Sequence, residues 1–210
     1  NDYNVKFLPE TQLIELDFYR KKTNFENKSN RRFFLEIYKN NLIIANRFGE
    51  FFITNLEDLT KNNQTKFIKI NFDKQKIKKG NILDILVFNQ KIYLSKISEY
   101  ENCKKLEVYF SDINQNLNFD LFKSFNECQS VGEIGAGRIT NYKLNGKEGI
   151  LITTTDSAND FPGQKPQDSN SIFGKILFID INTREHKIVS KGHRNAQGLS
   201  TKDNIILSSE

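Results

Sequence analysis

The chain has 210 residues, 37% hydrophobic and 27% charged, with a formal net charge of +5. That length supports one good core or two small ones, and no run of eighteen apolar residues exists to cross a membrane. The positive charge is Lys scattered among many Glu and Asp, not Lys and Arg clustered with aromatics on one face, so no nucleic-acid partner is expected.

Residues 1–30 are polar and weakly patterned, with 13–18 able to form one edge strand. No initiator Met and no signal-like apolar core stand near Asn1, so a removed leader or a fragment of a longer chain is expected. Residues 21–32 are charged and Asn-rich, a loop. A strand series then begins: 33–38, a turn at 39–41, 42–45, a turn at 47–50, and 51–54. Short β-branched and aromatic runs between turn residues predict antiparallel sheet, and three strands in about twenty residues is the rhythm of a propeller blade.

The rhythm recurs. Residues 66–72 alternate as a half-buried strand does. The basic run 74–79 reads as a solvated turn. Residues 82–88 and 92–95, joined by 89–91, read as two inner strands, and 106–110 as the next. A helix competes weakly over 117–125, where Asn and Asp interrupt the apolar positions. Residues 135–142 make a tight turn into a strand, Asn145-Gly146 signals a hairpin, and 149–156 is the returning strand. A loop over 157–171 precedes a strand over 173–180, a turn at 182–184 and strands over 186–190 and 204–208. A period of about 40–50 residues is of propeller size. The predicted fold class is all-β, a β-propeller.

Between the last two strands lies Gly192-His193-Arg194-Asn195-Ala196-Gln197-Gly198-Leu199. Arg194 is a permanently charged planar donor, and Asn195 both donates and accepts. Small residues flank the pair, which is presented from a loop where a planar anion could meet it. The plain alternative is a solvated turn. His186 lies in a strand and His193 in this loop; both read as structural or exposed. Cys103 and Cys128 lack the spacing of a zinc or redox motif, and one disulfide or two thiols are both open. Asp156, Asp160, Asp168 and Glu133 read as solvated loop carboxylates, so no metal site is expected from them.

The stretch 192–199 resembles the signature of the glucose/sorbosone dehydrogenase family, soluble quinoproteins that use pyrroloquinoline quinone (PQQ). Gly135 to Ile139, Thr155-Asp156, Gln167-Asp168 and Gly174-Lys175-Ile176-Leu177 resemble further family segments in the same order. Glu210 resembles the first residue of a following Glu-His-Gly-Pro motif. The similarity covers about 132–210 within a partial propeller over 31–210.

The resemblance implies a six-bladed propeller, of which this chain supplies about three to four blades. It implies oxidation of an aldose sugar by hydride transfer to PQQ, with Arg194 and Asn195 contacting the quinone. It implies export to the periplasm or beyond, which favours a Cys103–Cys128 bridge. Ca²⁺ belongs to the full-length family protein through ligands mostly outside this chain. The family's catalytic His falls at Ile134, which cannot take a proton. Glu133, one residue away, is the candidate substitute base. The alternative is a propeller that has lost its base and binds a carbohydrate or a protein. The oligomeric state is not legible.

Overall fold

The computed structural model describes residues 5–7, 14–16, 32–60, 68–72, 80–114, 116–129, 135–156 and 164–210. Two short strands, β1 (Val5–Phe7) and β2 (Ile14–Leu16), pair with each other. The rest is a succession of antiparallel sheets. The first holds the antiparallel β3 (Phe33–Tyr38), β4 (Asn41–Asn46), β5 (Phe51–Asn55) and β6 (Ile68–Phe72), with a one-turn helix α1 (Leu56–Thr60) after β5, and gains a fifth strand, β10 (Asn116–Leu117), in parallel beside β6. The second holds β7 (Gly80–Phe88), β8 (Lys91–Glu99), β9 (Lys104–Asp112) and β11 (Asp120–Ser124). The third holds β12 (Ala136–Leu144), β13 (Lys147–Thr154), β14 (Lys175–Asp180) and β15 (His186–Lys191). A two-stranded sheet of β16 (Gly198–Lys202) and β17 (Ile205–Ser209) follows.

In each sheet the chain starts on one edge and steps outward strand by strand. The starting strands β3, β7, β12 and β16 stand in a row, with β7 against both β3 and β12, and β12 against β16. Three four-stranded meanders and a fourth, two-stranded sheet around a row of inner strands make an all-β partial propeller, as the strand rhythm predicts.

The cores lie between consecutive sheets, and period-two alternation explains why. On β8, Ile92 and Leu94 pack toward the first sheet with Phe34, Ile43 and Phe51, whereas Tyr93 and Ile97 pack toward the third with Ile139, Ile150 and Ile152. On β14, Leu177 and Ile179 join the inner cluster, while Ile176 and Phe178 face Leu199 and Ile206 of the last sheet. Strands buried on both faces read as continuous apolar runs, which is the sequence character of 82–88 and 173–180.

The turns follow local chemistry. β7 and β8 join through Asn89 and Gln90, β12 and β13 through Asn145 and Gly146, all with positive φ. Two such residues make the turn whose twist matches the flanking strands. The helical reading of 117–125 gives way to strands: β10 (Asn116–Leu117) pairs in parallel with β6, and β11 closes the second sheet. Leu117 and Phe119 then fill the core under the first sheet, with Phe119 5.6 Å from the Phe51 ring, while Phe122 and Phe125 fill the next. This segment latches two blades together, a placement that helical spacing could not achieve.

Two sequence readings change. Gly198 and Leu199, read as the end of the loop, open the strand β16. Cys103 and Cys128 are both thiols, and no disulfide joins them. The basic run 74–79 lies outside the described residues.

Candidate functional site

The first turns of the inner strands converge at one end of the row. Arg32 precedes β3, Gly135 precedes β12, and Asn195 and Gln197 precede β16. Together with Arg47, Thr155, Ile82 and Leu83 they line a cavity of about 170 Å³. The Arg47 N–H donates to the Arg32 carbonyl (3.2 Å), and the Ile82 N–H donates to the Arg47 carbonyl (3.0 Å). The two arginines are therefore held side by side and tied to β7.

The Arg194–Asn195 loop is fixed from three sides. The Arg194 carbonyl accepts from the Asp156 N–H (2.8 Å) and Thr155 Oγ1 (3.0 Å). The Arg194 N–H donates to Glu210 Oε2 (3.1 Å), and Glu210 Oε1 lies 2.6 Å from His193 Nδ1, whose other nitrogen meets Ser190 Oγ at 2.8 Å. That Arg194 N–H, ahead of the His193 contact, holds the Glu210 carboxyl below its ordinary range. The Gly192 N–H donates to the Pro166 and Gly174 carbonyls (2.9 and 3.1 Å). Beneath them Lys175, fully buried, donates from Nζ to the carbonyls of Lys165, Pro166 and Phe173 at 2.7, 3.0 and 2.6 Å.

Gln197 Nε2 donates to Asn195 Oδ1 (2.7 Å). Its oxygen so engaged, Asn195 retains two Nδ2 hydrogens as donors. A Cβ on Gly135 would stand 2.7 Å from Asn195 Oδ1 and 3.3 Å from Gln197 Nε2. Gly135→Ala is therefore expected to displace this amide pair, weakening ligand binding by about tenfold or more while shifting stability by about 1 kcal/mol or less. Calorimetric titration beside a thermal melt would check it; a variant that binds as the parent does would refute this packing role.

The sequence-predicted residues are placed unequally. Asn195 lines the cavity. Arg194 is exposed beside it and does not form the wall. Glu133 and Ile134 lie outside the described residues, as does Asp160, though Gly135 directly follows them on the wall. His186 packs edge-on against Phe125 at 5.2 Å, and burial, then Lys123, hold its imidazole below the ordinary value. His193 braces the loop. No cluster of metal-ligating side chains occurs among the described residues.

Arg32 and Arg47 were not visible as site residues in the sequence, where they end a charged loop and begin a turn. The available signal was position: Arg32 directly precedes an inner strand, as Gly135 and Gln197 do.

Below the cavity a wider channel of about 450 Å³ follows the inner strands, lined among others by Glu36, Asp84 and Arg138. Asp84 accepts from the Ile139 N–H (3.0 Å) and pairs with Arg138 (3.3 Å), joining β7 to β12 where both strands bulge. Burial nevertheless pushes Asp84 up to about 6, against the opposing charge of Arg138. Burial, with Asp84 adding, raises Glu36 to about 7 despite the Val87 N–H. A carboxyl raised on folding contributes stability that is full below its unfolded value, near 3.8 for Asp84, and lost as pH rises through about 6. Asp84→Asn is therefore expected to gain stability relative to the parent between about pH 4 and 6, by at most about 1.4 kcal/mol per pH unit. Urea titrations at pH 4, 6 and 8 test this; a parent–variant difference independent of pH would remove the claim.

No family model and no curated protein matches the chain. Among solved structures, the PQQ-bound aldose sugar dehydrogenase of Streptomyces coelicolor aligns at a TM-score of 0.56 and 16% identity, over 81% of this chain and 53% of that one. The chain thus spans about half the length of that enzyme and shares its fold. A Bombyx mori β-fructofuranosidase aligns at a TM-score of 0.42 and 12% identity, over 82% of this chain and 40% of that one. Among the described residues no helix is long and apolar enough to cross a membrane.

Proposed function

We propose that this chain is part of a PQQ-dependent aldose dehydrogenase-like propeller of the glucose/sorbosone dehydrogenase type, with Arg194 and Asn195 facing the cofactor. One observation carries the reading. Asn195, with Arg194 beside it, stands at the convergence of the inner strands and lines a cavity whose wall, among the described residues, includes two more arginines, Arg32 and Arg47. PQQ is a planar quinone bearing carboxylates, and guanidinium and amide donors suit it. When bound, it supplies the two-electron acceptor for the sugar's hydride.

The chain's own contribution is to bind, orient and deprotonate. Thr155, Glu210 and Gly192 hold the backbone of the loop that presents the exposed Arg194 side chain. Asn195 is oriented by Gln197. Removal of the sugar hydroxyl proton needs a base within hydrogen-bond reach, and Glu133, beside Ile134, takes that role. The described carboxylates gather no cation site, and Ca²⁺ enters no step of this reading. The sugar partner and a periplasmic or secreted location follow from the same reading.

Ile134, at the position of the family's His, favours a second reading: a propeller that keeps its ligand cradle, has lost its base, and binds a carbohydrate or protein without turnover. Calorimetry of PQQ binding to the full-length protein with Ca²⁺, beside aldose oxidation with an artificial acceptor, separates the two. Binding with turnover that falls by about a hundredfold or more in Glu133→Gln supports the enzyme. Binding without turnover supports the second reading. No PQQ binding removes the quinoprotein proposal.

A further inference from the structure

Ser190, His193 and Glu210 stand in one hydrogen-bonded line beside Arg194. Ser190 Oγ lies 2.8 Å from His193 Nε2, and His193 Nδ1 lies 2.6 Å from Glu210 Oε1. Two local features build the line. Val189 is an extra residue on β15, between the pairs Leu177–Ile188 and Ile176–Ser190, and a bulge of this kind re-aims the side chain next to it. Gly192, with φ +92°, then turns the chain back so that the His193 ring meets a serine three residues earlier. Glu210 arrives from the far end of β17.

The order of the three groups fixes where the protons sit. Glu210 also accepts from the Arg194 N–H at 3.1 Å, which favours its ionised form. An ionised carboxylate only accepts, so in the neutral imidazole His193 Nδ1 carries the hydrogen and Nε2 turns its lone pair to the Ser190 hydroxyl. A hydroxyl donating to an imidazole whose far nitrogen is held by a carboxylate is the arrangement that activates a serine. Ser190 and His193 are half-buried rather than sealed, so the hydroxyl can be reached from solvent.

We propose that these residues form a hydrolytic site for a carboxylic ester, with Ser190 as nucleophile, His193 as general base and then acid, and Glu210 as the positioning residue. Ser190 Oγ bonds to the acyl carbon while its proton passes to His193 Nε2. The bond from the acyl carbon to the alcohol oxygen breaks, and the alcohol leaves with that proton. Water, deprotonated by His193, then attacks the acyl-serine, which releases the acid and restores Ser190. The Gly192 and His193 N–H groups are engaged by the Pro166 and Gly174 carbonyls, so they leave the developing oxyanion to side chains. Gln167 Nε2, which a Cβ on Gly192 would meet at 2.8 Å, and the exposed Arg194 are donors on this rim. Esters with good leaving groups need the least such help and are the first substrates to expect.

The test uses the full-length protein without PQQ, p-nitrophenyl acetate as substrate and diisopropyl fluorophosphate as label. The parent is expected to hydrolyse the ester about a hundredfold or more faster than the Ser190→Ala variant. The label should attach to Ser190, its oxygen bonding to phosphorus as fluoride leaves, and peptide mass spectrometry locates it. His193→Gln should slow both hydrolysis and labelling by about a hundredfold. Glu210→Gln removes the charge that fixes the imidazole tautomer, so kcat should fall by about a hundredfold with KM held within about twofold. Glu210→Asp, which keeps the charge, should recover part of that loss. A role confined to bracing the loop would move none of these readouts.

Hydrolysis by the parent no faster than by a folded Ser190→Ala variant would overturn the proposal. So would a label found on another residue or on none, a result that needs no variant to fold. An unchanged kcat in a folded Glu210→Gln variant would overturn the three-residue relay. Because no PQQ enters these measurements, their failure leaves the quinoprotein reading untouched, and an absence of PQQ binding leaves this inference untouched.

Discussion

Lys175→Met is expected to destabilise the protein by about 2–4 kcal/mol and to weaken ligand binding at Asn195 in what remains folded. The side chain is fully buried, and its ammonium donates to three backbone carbonyls of the segment leading into β14. Burial, only partly offset by Asp168 and Glu127, holds its pKa below the ordinary value. Met fills a similar volume but donates nothing, so the Lys165 and Phe173 carbonyls lose this donor. The Pro166 carbonyl retains the Gly192 N–H. Because Gly192 begins the Arg194–Asn195 loop, the effect reaches the site. Urea unfolding gives the stability change, and calorimetric titration with PQQ gives the second. A variant within about 0.5 kcal/mol of the parent would show that the carbonyls find other donors.

Gly137→Ala should cost about 2–4 kcal/mol. Gly137 has φ +77°, the left-handed region that a side chain disfavours. An added Cβ would lie 2.2 Å from Leu83 Cδ1 and 2.7 Å from Leu83 Cβ. Leu83 belongs to the core between the second and third sheets, and the Gly137 carbonyl accepts from buried Ser95 Oγ, so neither strand can yield freely. The methyl must separate β7 from β12 beside the Asp84–Arg138 pair. Thermal unfolding would report a lower midpoint; an unchanged one would mean that the two inner strands are not packed as described. Leu83→Ala in the same background should restore part of the loss, because it removes the atoms the methyl meets.

Much of the architecture was legible beforehand. Strand runs separated by turn residues marked out most strands from 33 to 209, β10, β11 and β16 excepted, since β-branched and aromatic runs favour a pleated, buried surface. Asn145-Gly146 named its hairpin because few residue pairs accept two positive φ values. The segment over 117–125 was ambiguous because its apolar spacing fits two periods, and only its partners on β6 and β9 chose the strand.

The site divides differently. Gly192 to Leu199 announced itself through a run of uncommon local order, and the loop is held by local contacts from Ser190 and Gln197. Arg32 and Arg47 gave no such signal. Their place on the cavity depends on sheet closure, which brings residues more than a hundred positions apart to one wall. The two thiols carry the same lesson, because pairing is a matter of distance between sites and not of spacing along the chain.

By itself the sequence determined the strands, the tight turns and the propeller rhythm, because these rest on side-chain alternation and backbone freedom within a few residues. The tertiary structure alone decided which faces became cores, which arginines share a cavity wall with Asn195, and that burial raises the Asp84 and Glu36 carboxyls above their ordinary range. Each of those depends on burial and on neighbours from distant sheets, quantities that no local stretch of chain contains.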